Sequence, residues 1–423
     1  MTMKRYWKFK ALVTVVMLTV LQACVCDDSM LNVNAEEPPA QHKKISLTEA
    51  QRQMRDNNNE FACNLFRTIN AQKTGDASTI VSPISVSYVL GMLNDGADGE
   101  TRQQIANVLG LGNSVEEINL FFKKMIEEAP YVDTQVTVKI ANSIDVNSGL
   151  GISLIPQYEA DMMKYYRAPV YAMDFNENSN LAFINKWCNT NTDGMVPSIL
   201  DELNPLAAMY LLNAVYFKAN WTEKFDPKET RNMYFTKQNG TNVERKMMHL
   251  KTKADYAKND LYKMLCLPYG SKGYCMYLLL PNEGKTIDDV IQSLTSQSLD
   301  NQRLNTFSAA VDILIPRFTT ENETKLENVL SSMGMPLAFD YDLADFPNMA
   351  QGYNLYVSMM KQKAKIEVNE EGTKAATVTV AEMTNRSSSS VSGYTFHATR
   401  PFVYFIMEES TGSIFFMGTY CGD

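Results

Sequence analysis

Apolar residues in the first part of the body recur at helical spacing. In FACNLFRTIN, Phe61, Leu65 and Ile69 fall on one face and predict an amphipathic helix. SPISVSYVLGMLNDG predicts a buried turn and helix entry, with Ser82 the candidate cap before Pro83. A second helix is predicted from Glu100 to Gly112, closed by Gly110-Leu111-Gly112. Val136 to Asn147 then reads as a strand. AAMYLLNAVYFK (207–218) is apolar almost throughout and fits helix or strand by period alone; its Val215-Tyr216-Phe217 end favours a buried strand. After residue 260 strands dominate: YKMLCLPYGSKGYCMYLLLP is a hairpin, followed by VDILIPRF, AKIEVNE, FVYFIME and SIFFMGTY. Helices first and strands later predict an α+β single domain with large antiparallel sheets.

One stretch resists this simple reading: NEEGTKAATVTVAEMTNRSSSS (369–390). From Thr373 to Met383 the odd positions are Thr, Ala, Thr, Thr, Ala and Met, while both charges, Lys374 and Glu382, fall on even ones. Side chains alternate faces along a strand, so this segment suits burial of one small, uncharged face. Yet Thr384 to Gly393 has the composition of an exposed loop. A loop whose first half is fit to be a buried strand needs a reason.

With 423 residues, 45% hydrophobic and 21% charged, the chain can build a large core. Its net charge of −9 argues against a polyanionic partner such as nucleic acid, and no basic run offsets it. The start, MTMKRYWKFKALVTVVMLTVLQAC, sets four basic residues before an apolar run from Ala11 to Leu21. That run is too short to span a bilayer and has the layout of a secretory signal peptide. Leu21-Gln22-Ala23-Cys24 resembles a bacterial lipobox, which implies cleavage before Cys24, lipid on its thiol and a membrane anchor. Asp27-Asp28 resembles a surface-export signal, so the expected place is the bacterial outer membrane or the cell surface. The division expected is a signal peptide over 1–23, a polar tether over 24–47 and one folded domain over 48–423.

Candidate chemistry is sparse. Seven cysteines include no CxxC pair. Cys266 and Cys275 flank PYGSKG, where a cross-strand bond stays open, but free core cysteines are the favoured reading. His42, His249 and His397 form no HxxxH, and none is placed near a Cys or His with which to share a metal. No GxSxG, SxxK, Walker loop or GxGxxG is present. Neither an enzyme nor a cofactor is expected.

The puzzling stretch resembles the hinge and reactive loop of the serpins, through Glu371-Gly372-Thr373, then Ala375-Ala376 and Thr379. SPISVSYVLGMLNDGADGETRQQIANVLG, LLNAVYFKANWTEKFD, LPNEGK, IPRF and RPFVYFIMEESTGSIFFMGTY are similar to further family segments, in family order, from about Leu47 to Asp423. The resemblance implies the serpin fold and a suicide-type protease inhibitor, expected as a monomer. A protease cleaves the loop, and its amino-side half enters the main sheet as a new strand; serpin insertion is itself the standing example of such strand addition. Glu370, Glu371, Gly372, Thr373, Ala375, Ala376, Thr377 and Thr379 would form the hinge and inserting strand. About 14 inserted residues at about 3.3 Å each would carry an attached protease roughly 45 Å.

By the same resemblance Ser82, Ser85 and Asn213 belong to a polar cluster under the opening point of that sheet, and Trp221 sits where the hinge enters. The family's usual His in the cluster falls on Gln362, which hydrogen-bonds in both senses but does not titrate. Sixteen residues beyond Glu370 the reactive bond is placed at Arg386–Ser387. Arg there implies a target pocket with a carboxylate at its base, in a trypsin-like serine protease or an Arg-specific cysteine protease. Two other readings stand beside this one. A non-inhibitory serpin acting as a binding module is left open by Thr377-Val378, bulkier than the family's usual residues there. A surface-attached hydrolase has no motif in its favour.

Overall fold

The computed structural model describes residues 42–73, 75–112, 114–351, 355–373 and 393–423. Cys24, Ala375, Ala376, Thr377, Thr379, Arg386 and Ser387 lie outside them. The described helices are α1 (Glu49–Gln72), α2 (Pro83–Gly96), α3 (Gly99–Leu109), α4 (Val115–Glu128), α5 (Pro156–Asp161), α6 (Asn178–Asn191), α7 (Ile287–Ser293), α8 (Ser296–Leu304) and α9 (Glu327–Met333). None is long and apolar enough to cross a membrane.

Local chemistry sets the ends of these helices. Thr48 and Gln51 close a capping box at the start of α1, whose buried face carries Phe61, Leu65 and Ile69 as its spacing predicts. Gly110 ends α3 in the left-handed region at φ 68°. Ser82 does precede Pro83 at the start of α2, but its hydroxyl does not cap the helix. It donates instead to the Phe415 carbonyl at 2.7 Å, because both groups are buried and that carbonyl needs a donor.

Nine strands form one sheet: β1 (Thr79–Val81), β6 (Arg231–Thr236), β7 (Asn242–Lys258), β8 (Tyr262–Tyr269), β9 (Tyr274–Pro281), β10 (Phe307–Pro316), β15 (Tyr394–His397), β16 (Phe402–Glu408) and β17 (Ser413–Tyr420). Six form the main sheet around the candidate site: β2 (Val136–Asn147), β4 (Val170–Met173), β5 (Met209–Asn220), β11 (Phe318–Lys325), β13 (Met359–Asn369) and β14 (Gly372–Thr373), in the order β11-β13-β14-β5-β2-β4. A short pair, β3 (Ser153–Leu154) with β12 (Ala350–Gln351), completes the strands of the described residues. Most pairings are antiparallel; β13–β5, β2–β4 and β10–β15 are parallel. The architecture is α+β, as the order of elements predicts.

β5 reads as one apolar run because both its faces are covered. One face, with Leu211, Val215 and Phe217, meets the main core. The other, with Tyr210, Leu212, Ala214 and Tyr216, lies under a second apolar layer containing Ile184 and Cys188 of α6 and Val196, Ile199 and Leu200 after it.

Three expectations change. Cys266 and Cys275 are bonded rather than free: the β8–β9 register sets Cys266 opposite Tyr277 and Cys275 opposite Pro268, so the two are diagonal neighbours with Cα atoms 6.2 Å apart. His249 and His397, far apart in sequence, are brought by β7 and β15 to the two sides of β10, where both ring Nε2 atoms reach Asp312 Oδ1, at 2.9 and 3.3 Å. These bonds and Lys251 hold the Asp312 carboxyl below its usual range against the opposing effect of burial. No group of three His, Cys, Asp or Glu is arranged to hold a metal among the described residues. Finally, the folded body starts before Leu47. The His42 ring reaches the Ser271 carbonyl, Lys43 N–H donates to Val132, Ile45 N–H donates to Ser410, and the Ile45 side chain is buried.

Candidate functional site

The seam between β5 and β13 is only partly closed. At one end five residues of each strand, Met359–Lys363 and 210–214, pair in parallel. At the other end β14 lies between them, antiparallel to both, with Thr373 opposite Val368 of β13 and Ala219 of β5. Between these ends, among the described residues, the strand ladders join neither Val215, Phe217 and Lys218 of β5 nor 364–367 of β13 across the seam. Gly372 and Thr373, the third and fourth residues of the expected hinge segment, are thus seated as a strand.

Each seat has a physical cause. Gly372 adopts φ +150°, and a Cβ there would collide with the Ala219 carbonyl, so only glycine fits. Thr373 has no solvent exposure, and its hydroxyl shares a hydrogen bond with Tyr269 Oη at 2.6 Å. Burial holds that Tyr269 phenol well above its usual range, so it stays neutral. Glu370 is buried, accepts from Arg317 Nε at 2.6 Å, and also accepts from the Thr230 hydroxyl. Glu371 pairs with Lys224. Trp221 is stacked on Tyr269 with centroids 4.4 Å apart. Its indole donates to the Asn369 carbonyl and its backbone N–H to Glu371, both at 2.9 Å. Trp221 thus lies against residues 369–371.

Below that stretch the seam is bolted by amides. Asn142, Asn213 and Gln362 stand level on β2, β5 and β13. Asn213 donates to Asn142 at 2.5 Å and to Ser85, and Gln362 donates to Asn213 at 2.7 Å. Gln362 also accepts from Ser82 N–H at 2.8 Å and donates to its carbonyl at 3.1 Å. All five residues are buried. Gln362 therefore satisfies the cluster without a titrating group, and Ser82, Ser85, Asn213 and Gln362 do come together.

Sequence reasoning missed Asn142, Thr230, Lys224, Tyr269 and Arg317. It also missed two lysines on the opposite face of β13. Lys361 Nζ donates to the Ile199 carbonyl at 3.2 Å and Lys363 Nζ to that of Ser198 at 3.3 Å, fastening the segment after α6 across the seam. An amide inside a strand, at Asn142, and a guanidinium ending an apolar strand, at Arg317, are the signals that were available. Tyr269 and the lysines carry none, since their role depends on register.

The family model for serpins, described as serine protease inhibitors, matches residues 56–422. A serpin-like protein of Thermococcus kodakarensis is 32% identical, over 85% of this chain and 83% of that protein. Human neuroserpin is 30% identical, over 85% and 89% respectively. Among solved structures, the thermophilic serpin tengpin in its native state superposes with a TM-score of 0.82 at 27% identity, covering 93% of this chain and 99% of that one. The crystal structure of human thyroxine-binding globulin gives 0.79 at 27% identity, over 88% and 98%. The chain belongs to the serpin family, whose members are generally protease inhibitors.

Proposed function

We propose that this serpin is a single-use inhibitor of a trypsin-like, Arg-specific serine protease, presenting Arg386–Ser387 as the bond to be cut. The register of β14 is the observation that carries the reading. Continued downward in that register, residue 375 would lie between 217 and 366, 377 between 215 and 364, and 379 between 213 and 362. Phe217, Ile366, Val215 and Ala364 all face the main core, so Ala375 and Thr377 would meet apolar neighbours with small side chains. Lys374 would emerge on the opposite face, beside Lys218 and Glu367. The alternation in the sequence thus matches the two faces of the seam. Thr379 would arrive at the Asn213–Gln362 bond, which must part for insertion to proceed.

Mixing the protein with trypsin should yield a complex that survives boiling in detergent. Release of cut chain without such a complex would favour the binding-module reading instead.

Anchoring forms the second half of the proposal: lipid on Cys24 holds the inhibitor at a bacterial outer membrane, supported by the Leu21-Gln22-Ala23-Cys24 pattern. Cys24→Ala should move the protein from the membrane pellet to the detergent-free supernatant. A variant that still pellets fully would remove the lipid from the account.

A further inference from the structure

β2 alternates between two cores. Ile144 and Val146 enter the main one, and Asp145 points the other way, toward the layer under α6. Its neighbours level across the sheet are Tyr171 of β4 and Tyr210 of β5, and both pack in that layer. Asp145 is 1% exposed. Among the described residues its Oδ1 has no hydrogen-bond partner, and Oδ2 accepts only from the Ser143 hydroxyl, at 3.2 Å. A carboxyl this deep and this poorly paired is costly when charged.

Among the described residues no cation acts on this carboxyl, although Lys363 of β13 does act on the Cys188 thiol of the same layer. β4 contributes the Tyr171 phenol, whose ring meets Phe183 of α6 at 5.0 Å. β5 contributes Tyr210, whose hydroxyl accepts from Asn204 N–H. α6 turns Ile184, Leu181, Trp187 and the Cys188 thiol inward. Burial raises both phenols above their usual range and pushes the thiol up to about 12, so all three are neutral. Burial likewise pushes the Asp145 carboxyl up from 3.8 to about 7, with Ser143 as the one opposing contact.

We propose that Asp145 is a proton-operated latch on the layer over the main sheet: with its carboxyl neutral, α6 and the segment after it are sealed onto β2 and β5, and ionisation releases them. The latch matters because that layer spans the seam. α6 rests on β2 and β5, while Lys361 and Lys363 of β13 hold residues 198–199. A strand entering the seam parts β5 from β13 by about 4.8 Å, so the layer must lift or slide. This consequence rests on the insertion reading given above; the latch itself does not.

The closed form binds the proton more tightly than the lifted form, in which Asp145 regains an ordinary carboxyl's affinity. Closure is therefore favoured at low pH and weakens as pH rises toward about 7. The opening constant should climb about tenfold per pH unit between about 4 and 7 and then level off, a gain of about 50-fold from pH 5 to pH 7.

Hydrogen exchange on the full chain at both pH values, corrected for intrinsic rates, reads this constant at the amides of α6 and β2. The expected result is an increase of about 50-fold in wild type and under about twofold in Asp145→Asn, with Asp145→Ser as a second neutral variant. A flat wild-type profile, or equal slopes in wild type and variants, overturns the latch. Trypsin complex formation measured on the same samples keeps the two ideas apart. Linked exchange without a complex leaves the latch standing and removes the inhibitor; a complex with unlinked exchange does the reverse.

Discussion

Replacing Arg386 with alanine should slow the trapping of trypsin by about 10⁴, the discrimination reached by sites built around a polar partner. The guanidinium would reach a carboxylate at the base of the protease pocket through charge-assisted hydrogen bonds, and alanine leaves that carboxylate buried and unpaired. The inserting stretch from Thr373 to Met383 is untouched by the change, so what is lost is recognition. Arg386→Leu should accordingly redirect trapping to chymotrypsin-like enzymes, because strand entry along β5 is indifferent to the cargo. Association rates with each protease, and the mass of the released carboxyl-terminal peptide, decide the matter. The peptide should begin at Ser387. A different start, together with undiminished trapping by Arg386→Ala, would show that another bond is presented.

Thr373→Arg should do the opposite, sparing recognition and disabling the trap. Thr373 is wholly enclosed between Val368 and Ala219, with Tyr269 as its polar neighbour, so a guanidinium there finds no carboxylate. An unpaired buried charge costs about 3–5 kcal/mol, or about 10²–10⁴ in the equilibrium for seating β14. With the first turn of the zipper closed to it, the loop should be cut and released. The number of inhibitor molecules consumed per protease blocked measures this, and should rise steeply while Thr373→Ser stays near wild type. Undiminished inhibition by the arginine variant would rule out insertion that begins at this position.

Both predictions rest on residues whose importance was legible to different degrees. The helical face of α1, the strand over Val136–Asn147 and the β8–β9 hairpin were written in local pattern, and the strand over 207–218 in its aromatic and β-branched end rather than in its period. The stretch resembling a hinge stood out because alternation and a glycine coincide in it, and its Gly372 and Thr373 form a strand of the main sheet. What stayed hidden depends on register between distant strands. Asn142, Asn213 and Gln362 are ordinary polar residues until three strands set them level. Cys266 and Cys275 look like core thiols until the hairpin places them diagonally. His249 and His397 meet at Asp312 only because β15 joins β10 in parallel, a pairing no local pattern announces. Asp145 looks like an outward residue of a strand with one wet face, and α6 makes that face dry.

The attachment of residues 42–45 carries a mechanical consequence. His42 is held at Ser271, and Lys43 and Ile45 at Val132 and Ser410, ahead of the first turn of α1. Tension applied from the amino-terminal side would be taken up by these bonds before it reached any helix. The Ser271 turn is only two residues from Tyr269, the side chain that grips Thr373. A pull from that side would thus be felt first beside Tyr269, at the end of the seam where Thr373 is held.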